Sequence, residues 1–189
     1  MESSHLMATQ SQTITAPNQP QNSGDSPPVK TDVAAGDGVG YAQFITFTVG
    51  EQEYGVDIMS VREIKGWADT TLLPNTPEYM RGVLNLRGII VPIFDLRCRF
   101  GLGETQATRL HVIVIIAVKE RMIGILVDTV SDILTVPTTD IRDVPKMENL
   151  IEEDYLSGLV TIEDRMVALL DQERLFNTKV IEDGIAVGS

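Results

Sequence analysis

From Tyr41 onward, short runs of β-branched and aromatic residues alternate with polar ones and are broken by charged or glycine turns. Phe44, Thr46 and Thr48 alternate with Ile45, Phe47 and Val49, the period-two pattern of a strand. Gly50-Glu51-Gln52-Glu53 reads as a hairpin turn and Tyr54 to Ile58 as the return strand. Ser60 to Ile64 continues as a short helical turn or a bend into another strand. Asp69 to Pro77 is a loop, because Pro74 and Pro77 exclude a central strand. Pro77 to Met80 fits one helical turn, with Pro first and Glu in the first turn. Gly82 to Leu86 and Ile89 to Leu96 are strands joined by a tight turn at Arg87-Gly88. Farther on, His111 to Val118 is almost wholly apolar and reads as a strand buried on both faces. Lys119-Glu120-Arg121 is its turn and Met122 to Val127 its return. Ile133 to Leu150 reads as a long connection carrying Pro137 and Pro145. Ser157 to Ile162 and Met166 to Leu170 flank the turn Glu163-Asp164-Arg165. Gln172 to Thr178 predicts a short C-terminal helix.

The chain also repeats itself. Gly55-Val56-Asp57-Ile58 and Val61-Arg62-Glu63-Ile64 correspond to Gly124-Ile125-Leu126-Val127-Asp128 and Val130-Ser131-Asp132-Ile133, 69 positions later (124 − 55). Tyr79-Met80-Arg81-Gly82-Val83 corresponds to Tyr155-Leu156-Ser157-Gly158-Leu159, 76 positions later (158 − 82), and Asp95 to Asp171 at the same offset. Two copies of one β-rich unit with about five strands each predict an all-β protein of two similar five-stranded barrels packed side by side. Neither copy has much core alone, so the two are expected to share apolar surface across their junction.

Gln, Ser, Thr, Pro, Asn and Gly dominate the first 40 residues, where apolar residues show no period. Residues 1–40 are therefore expected to be a disordered tail. The ordered part is expected over 41–180: a first barrel over about 41–108, a second over about 109–171 and a short helix over about 172–179. Residues 181–189 are expected to fray.

Composition narrows the function. A formal net charge of −12 argues against nucleic-acid binding, which needs basic patches to neutralise phosphates, and against docking on anionic lipid. The single cysteine, Cys98, permits neither an internal disulfide nor a thiolate cluster. Its neighbours Arg97 and Arg99 would favour a thiolate, but a half-buried strand-end thiol is the plainer reading. The apolar run Val112 to Val118 is far shorter than the roughly 20 residues a bilayer-spanning helix needs. No secretory signal pattern is visible, so a soluble protein that does not insert in membrane is expected.

Catalytic chemistry is poorly supplied. His5 and His111 are the two histidines and cannot converge on one site. Gly101-Leu102-Gly103 lacks the strand-to-helix setting of a phosphate loop. Asp57, Asp128, Asp95 and Asp171 fall at strand ends, where Asp commonly caps turns. A small hydrolase working through Asp95 and Asp171 is the competing reading, and it lacks a nucleophile motif. Two features stand out instead. Asn85-Leu86-Arg87-Gly88 forms a hairpin tip whose counterpart carries Glu163-Asp164, so the copies diverge there in charge. Glu63, set among apolar residues, is expected to pair with Arg87 on one exposed face.

The stretch from Gly82-Val83-Leu84-Asn85-Leu86-Arg87-Gly88 to Ile89-Ile90-Val91-Pro92-Ile93-Phe94-Asp95-Leu96 closely resembles the signature of the bacterial chemotaxis coupling family CheW. Tyr54 to Ile58, Val61 to Ile64, Pro74 to Pro77 and the second-copy blocks are similar to the same family, in order and at the right spacing. The resemblance spans Tyr41 to about Val180. It implies two SH3-like barrels and an adaptor, not an enzyme, needing no cofactor and no metal. Such an adaptor links the cytoplasmic hairpin tips of chemoreceptors to the regulatory domain of the histidine kinase CheA. It implies a cytoplasmic protein recruited to receptor arrays at the inner face of the membrane. By the family pattern Val61, Glu63, Gly82 and Arg87 lie at or near the receptor-binding face. Arg142 and Met147 are expected at the kinase contact. The tail before Tyr41 departs from the compact family pattern.

Overall fold

A computed structural model describes residues 40–145 and 153–176. The expected tail before Gly40, Met147 and the residues after Phe176 lie outside the described residues. The strands are β1 (Tyr41–Val49), β2 (Gln52–Asp57), β3 (Val61–Gly66), β4 (Met80–Leu86), β5 (Ile89–Asp95), β6 (Val112–Val118), β7 (Arg121–Val127), β8 (Thr129–Pro137), β9 (Leu156–Ile162) and β10 (Arg165–Leu170). One-turn helices α1 (Leu96–Arg99) and α2 (Gln172–Leu175) follow β5 and β10. Pro77 to Met80 forms a turn, not a helix, before entering β4.

The architecture is all-β and SH3-like, with two five-stranded sheets ordered β8-β1-β2-β10-β9 and β3-β6-β7-β5-β4. Among the described residues, the backbone pairing between the two rims of each sheet is an isolated bridge, Arg142↔Leu159 in one and Thr71↔Val83 in the other. The expected division into barrels over 41–108 and 109–171 does not hold. Each sheet combines the first two strands of one copy with the last three of the other. The crossover is made by two parallel pairings, Leu169↔Gly55 and Ile93↔Gly124. After β2, a 3₁₀ turn at Ile58–Ser60, capped by the Asp57 carboxylate on the Met59 N–H (2.8 Å), carries the chain into the other sheet.

A second correction concerns Ile133 to Leu150, expected as a connection. Its first part belongs to β8, an edge strand with only Val136 buried and Pro137 at its end. So polar a rim strand gives little periodic signal, and a terminal proline is tolerated there because no ladder bond is lost.

Alternation along the central strands splits the core three ways. Ile45, Phe47, Val49, Tyr54 and Val56 point to one face; Val114, Ile116, Val118, Ile123, Ile125 and Val127 do the same in the other sheet. Together with Met80, Phe94, Leu96, Phe100, Leu170, Leu175 and Phe176 they form one cluster drawn from both sheets. The opposite faces fill two smaller cores, around Phe44, Val160 and Leu169 and around Ile93, Ile113 and Leu126. Eighteen buried residues in the common cluster against five in each private core place most apolar burial at the junction, as the sequence predicts.

Duplication shows in the details of that junction. Asp95 and Asp171 each donate a backbone N–H to a tyrosine carbonyl, Tyr79 and Tyr155, at 2.7 Å. Each carboxylate caps the following helix. Phe94 and Phe176 pack at 5.1 Å between ring centroids. The Arg99 guanidinium lies 4.7 Å from the Tyr79 ring centroid and 4.8 Å from that of Tyr155, bridging equivalent residues of the two copies.

Gly124 carries a steric demand of the same packing. A Cβ there would overlap the Ile93 Cδ1 and stand 2.9 Å from the Ile113 Cγ2. Gly124→Ala is expected to lower unfolding stability by about 1–3 kcal/mol through overpacking. Gly66→Ala, with open space around the new methyl, should change it by less than about 0.5 kcal/mol. Urea unfolding midpoints of the two variants check the contrast.

Candidate binding surface

Glu63 and Arg87 come from opposite rims of one sheet. Glu63 lies on β3, opposite Ile115, beside an irregularity between Val61 and Glu63. Arg87 is the first residue of the two-residue turn between β4 and β5, with φ 53° followed by Gly88 at 90°. Positive φ at both positions is the twist that suits a two-residue hairpin. The turn places the Arg87 Nη2 3.1 Å from the Glu63 Oε2. The expected pair is therefore formed. Arg87 is 81% exposed and Glu63 26%, so one partner is anchored in the rim and the other reaches over it from solvent. Ile64, Ile89 and Ile90, their chain neighbours, are exposed apolar residues.

The second copy has the hairpin without the equivalent pair; its Arg165, just past the turn, instead meets Glu53 of β2 at 3.1 Å. Glu163 occupies the position of Arg87 at φ 52°, and Asp132 that of Glu63. Asp132 serves its own strand: its Oδ1 accepts the Ile133 N–H at 2.7 Å, and its backbone N–H donates to the Thr46 hydroxyl at 3.2 Å.

The other singled-out residues divide. Val61 is half-buried and packs against the common core beside Glu63. Gly82 is buried, with φ 110°, and a Cβ would overlap the Thr71 carbonyl. Gly158 is also crowded from across its bridge, where a Cβ would overlap the Ile141 Cγ2 and stand 3.1 Å from the Arg142 carbonyl, though its φ is not positive. A demand present in both copies marks Gly82 as a residue that lets the closing bridge form, not one that offers a contact. Arg142 is exposed, and its backbone bonds to Leu159 close the other sheet. It does not join the Glu63–Arg87 group.

The acidic residues at strand ends are occupied structurally. Asp95 is fully buried; its carboxylate accepts the Cys98 N–H, the Thr105 N–H and the Thr105 hydroxyl. Asp171 accepts the Glu173 and Arg174 N–H groups. Asp128 accepts the Gly50 N–H at 2.7 Å. His111 accepts the Thr108 N–H at its Nδ1 and places its Nε2 3.7 Å from Asp128. Cys98 lies in α1, half-buried. Burial first, then the charges of Asp95, Glu78 and Glu104, push its thiol above the ordinary value, against an opposing pull from Arg81. Sequence reasoning missed Arg99, whose role depends on two tyrosines 76 residues apart, and Asn85, whose carboxamide sits over the Arg87 turn.

Two outcomes follow from this geometry. Glu63→Lys and Arg87→Glu should each change unfolding stability by no more than about 1 kcal/mol, because a largely exposed pair contributes little; thermal and urea unfolding measure it. Cys98, held protonated, should alkylate at pH 8 several-fold more slowly than an unstructured cysteine peptide, with the rate still rising at higher pH. A rate equal to the peptide's would contradict the raised thiol.

Residues 43–180 match the family model described as CheW-like domain. The chain is 44% identical to the probable chemotaxis protein CheW of Rhizobium etli over 138 residues, covering 73% of this chain and 89% of the relative. It is 40% identical to the chemotaxis protein CheW of Klebsiella aerogenes over 145 residues, covering 77% of this chain and 87% of the relative. Among solved structures, the scaffolding protein TtCheW of Thermoanaerobacter tengcongensis superposes with a TM-score of 0.67 at 29% identity, covering 74% of this chain and 90% of that one. Together with the twin interleaved sheets, these likenesses place the chain in the CheW-like family of chemotaxis proteins.

Proposed function

We propose that this protein is a non-catalytic adaptor coupling chemoreceptors to the histidine kinase CheA. One face of the β3–β6–β7–β5–β4 sheet, around Val61, Glu63 and Arg87, meets the receptor's cytoplasmic hairpin tip. Gly82 supports that face from beneath by allowing the closing bridge. A second surface, including Arg142 and Met147, meets the kinase regulatory domain. The protein acts in the cytoplasm, gathered at receptor arrays beneath the membrane. Among the described residues no helix is long and apolar enough to cross a bilayer.

The observation that carries this reading is the asymmetry of the duplication. The same fold is built twice, yet among the described residues the Glu63–Arg87 pair has no counterpart at the equivalent positions of the second copy, whose hairpin instead pairs Arg165 with Glu53 of the central strand β2. Scaffolding requirements recur in both copies, as the capped helices and closing bridges do. A pair placed across the rims in one copy and not at the equivalent positions of the other, worth little to stability and open to solvent, fits a recognition role. Exposed Ile64, Ile89 and Ile90 beside it supply the apolar area, and the pair supplies orientation. The family relationship names the kind of partner. The carboxylates of Asp95 and Asp171, committed to caps, speak against the hydrolase reading.

Amide chemical-shift mapping tests the proposal. A soluble receptor-tip fragment should perturb residues around Val61, Glu63 and Arg87, and the kinase regulatory domain a separate set including the neighbourhood of Met147. Glu63→Lys or Arg87→Glu should weaken tip binding by about tenfold or more while leaving kinase-domain binding unchanged. A single coincident footprint, or tip binding indifferent to both reversals, would overturn it.

A further inference from the structure

The Arg87 turn is held by a side-chain bond from its own first strand, which the β6–β7 and β9–β10 hairpins lack among the described residues. The Asn85 Oδ1 accepts the Gly88 N–H at 2.7 Å, spanning the two-residue turn from its first strand. The equivalent position is Ala117 before the Lys119-Glu120 turn and Thr161 before the Glu163-Asp164 turn. Ala117 has no side-chain acceptor, and among the described residues Thr161 makes no side-chain hydrogen bond to its turn. Even so, Lys119 and Glu163 reach φ 55° and 52°, close to the 53° of Arg87. A hairpin of this fold therefore turns without the lock. Among the three hairpins with positive φ at a non-glycine turn residue, the bond from within the hairpin occurs where the turn residue holds a distant partner; the β1–β2 turn is held from outside, by Asp128 on the Gly50 N–H.

Arg87 needs such help. With 81% of its side chain in solvent, it has little packing to restrict its rotamers. Its anchorage is the 3.1 Å contact to Glu63 across the rim and the backbone at its other end. A flexible guanidinium must lose side-chain entropy on binding, and a fixed backbone lowers that loss. We propose that Asn85 is a positioning residue for recognition: its carboxamide fixes the Gly88 amide, and so the Arg87 backbone, in the orientation that keeps the Glu63–Arg87 pair formed before the partner arrives. This rests on the reading that the Glu63–Arg87 face meets the receptor tip.

The test uses the full chain and a soluble receptor-tip fragment titrated by calorimetry. Asn85→Ala should fold, because Ala117 occupies the equivalent place in a working hairpin. It should weaken tip binding by about three- to tenfold, the net worth of one hydrogen bond. Asn85→Ser, which keeps a side-chain acceptor, should recover part of the loss. In an Arg87→Ala background, Asn85→Ala should cost nothing further, as expected of residues acting through one another. A full additional loss in that background would overturn the inference, as would wild-type binding by Asn85→Ala beside a weakened Arg87→Ala. A readout without partner separates the two readings: the Arg87 side-chain Nε–Hε resonance should move toward the free-guanidinium position in Asn85→Ala, as in Glu63→Gln. If it stays at its wild-type position, Asn85 does not position Arg87. If it moves but Arg87→Ala binds the tip normally, the receptor-face reading has failed and the binding role of Asn85 fails with it.

Discussion

Two close approaches of backbone to branched side chains organise this protein. At Leu169↔Gly55 and Ile93↔Gly124, the last strand of each copy lies parallel against the second strand of the other. The space a Cβ would need is taken by Leu169 in one case and by Ile93 with Ile113 in the other. Glycine at these points leaves room for the facing side chains to pack in the rotamers they hold. Because the pairing crosses between copies, neither half can complete a sheet alone. The β1–β2 and β6–β7 hairpins then lie at the sheet centres, with both faces covered. One face of each supplies the common core, and the other fills its own barrel. The large junctional cluster is thus a consequence of the exchange. It also makes the two sheets one thermodynamic body, since disrupting the common core removes burial from both.

Duplication supplies an internal comparison that a single copy could not. Requirements of the scaffold recur: the capping aspartates Asp95 and Asp171, the glycines under the closing bridges, and the tyrosines that flank Arg99. Departures from the repeat need a different reason. Arg87 against Glu163, Glu63 against Asp132 and Asn85 against Thr161 are three departures converging on one rim. They are linked by one hydrogen bond and one ion pair. Independent drift at three positions would not be expected to assemble a connected set. Gly82 shows the converse. The family pattern associates it with recognition, yet Gly158 repeats its steric situation, so its effect on any partner passes through the bridge it permits.

How far the sequence reveals this depends on whether the signal is local. Alternation in the central strands, the Arg87-Gly88 turn and the capping aspartates are local, and they are legible. The pairing of Glu63 with Arg87 is legible for a different reason: an acid in an apolar strand and an arginine at a hairpin tip are both conspicuous. The partition of strands is not legible, because a repeat reveals that two units exist but not which unit's strands hydrogen-bond to which. β8 escapes notice since a rim strand with one buried residue has no amphipathic period. The Arg99 stack depends on a contact between copies, with no marker along the chain. Asn85 does carry a local signal, an Asn three residues before a turn glycine. Its meaning emerges only when the turn's far end is found to hold Glu63.

On the proposed reading, stability and recognition are carried by separate parts of the molecule. Burial at the junction is extensive and insensitive to what happens on the rim. The rim pair, mostly in water, adds little to it. That separation would allow the proposed recognition face to be tuned by charge without endangering the fold. It also explains why the pair needs help from the backbone. A half-buried arginine such as Arg99 is held by the rings around it, whereas Arg87 has few such neighbours and depends on the geometry of its turn. On an exposed surface, order comes from local hydrogen bonds, and the Asn85–Gly88 bond is where this fold provides it.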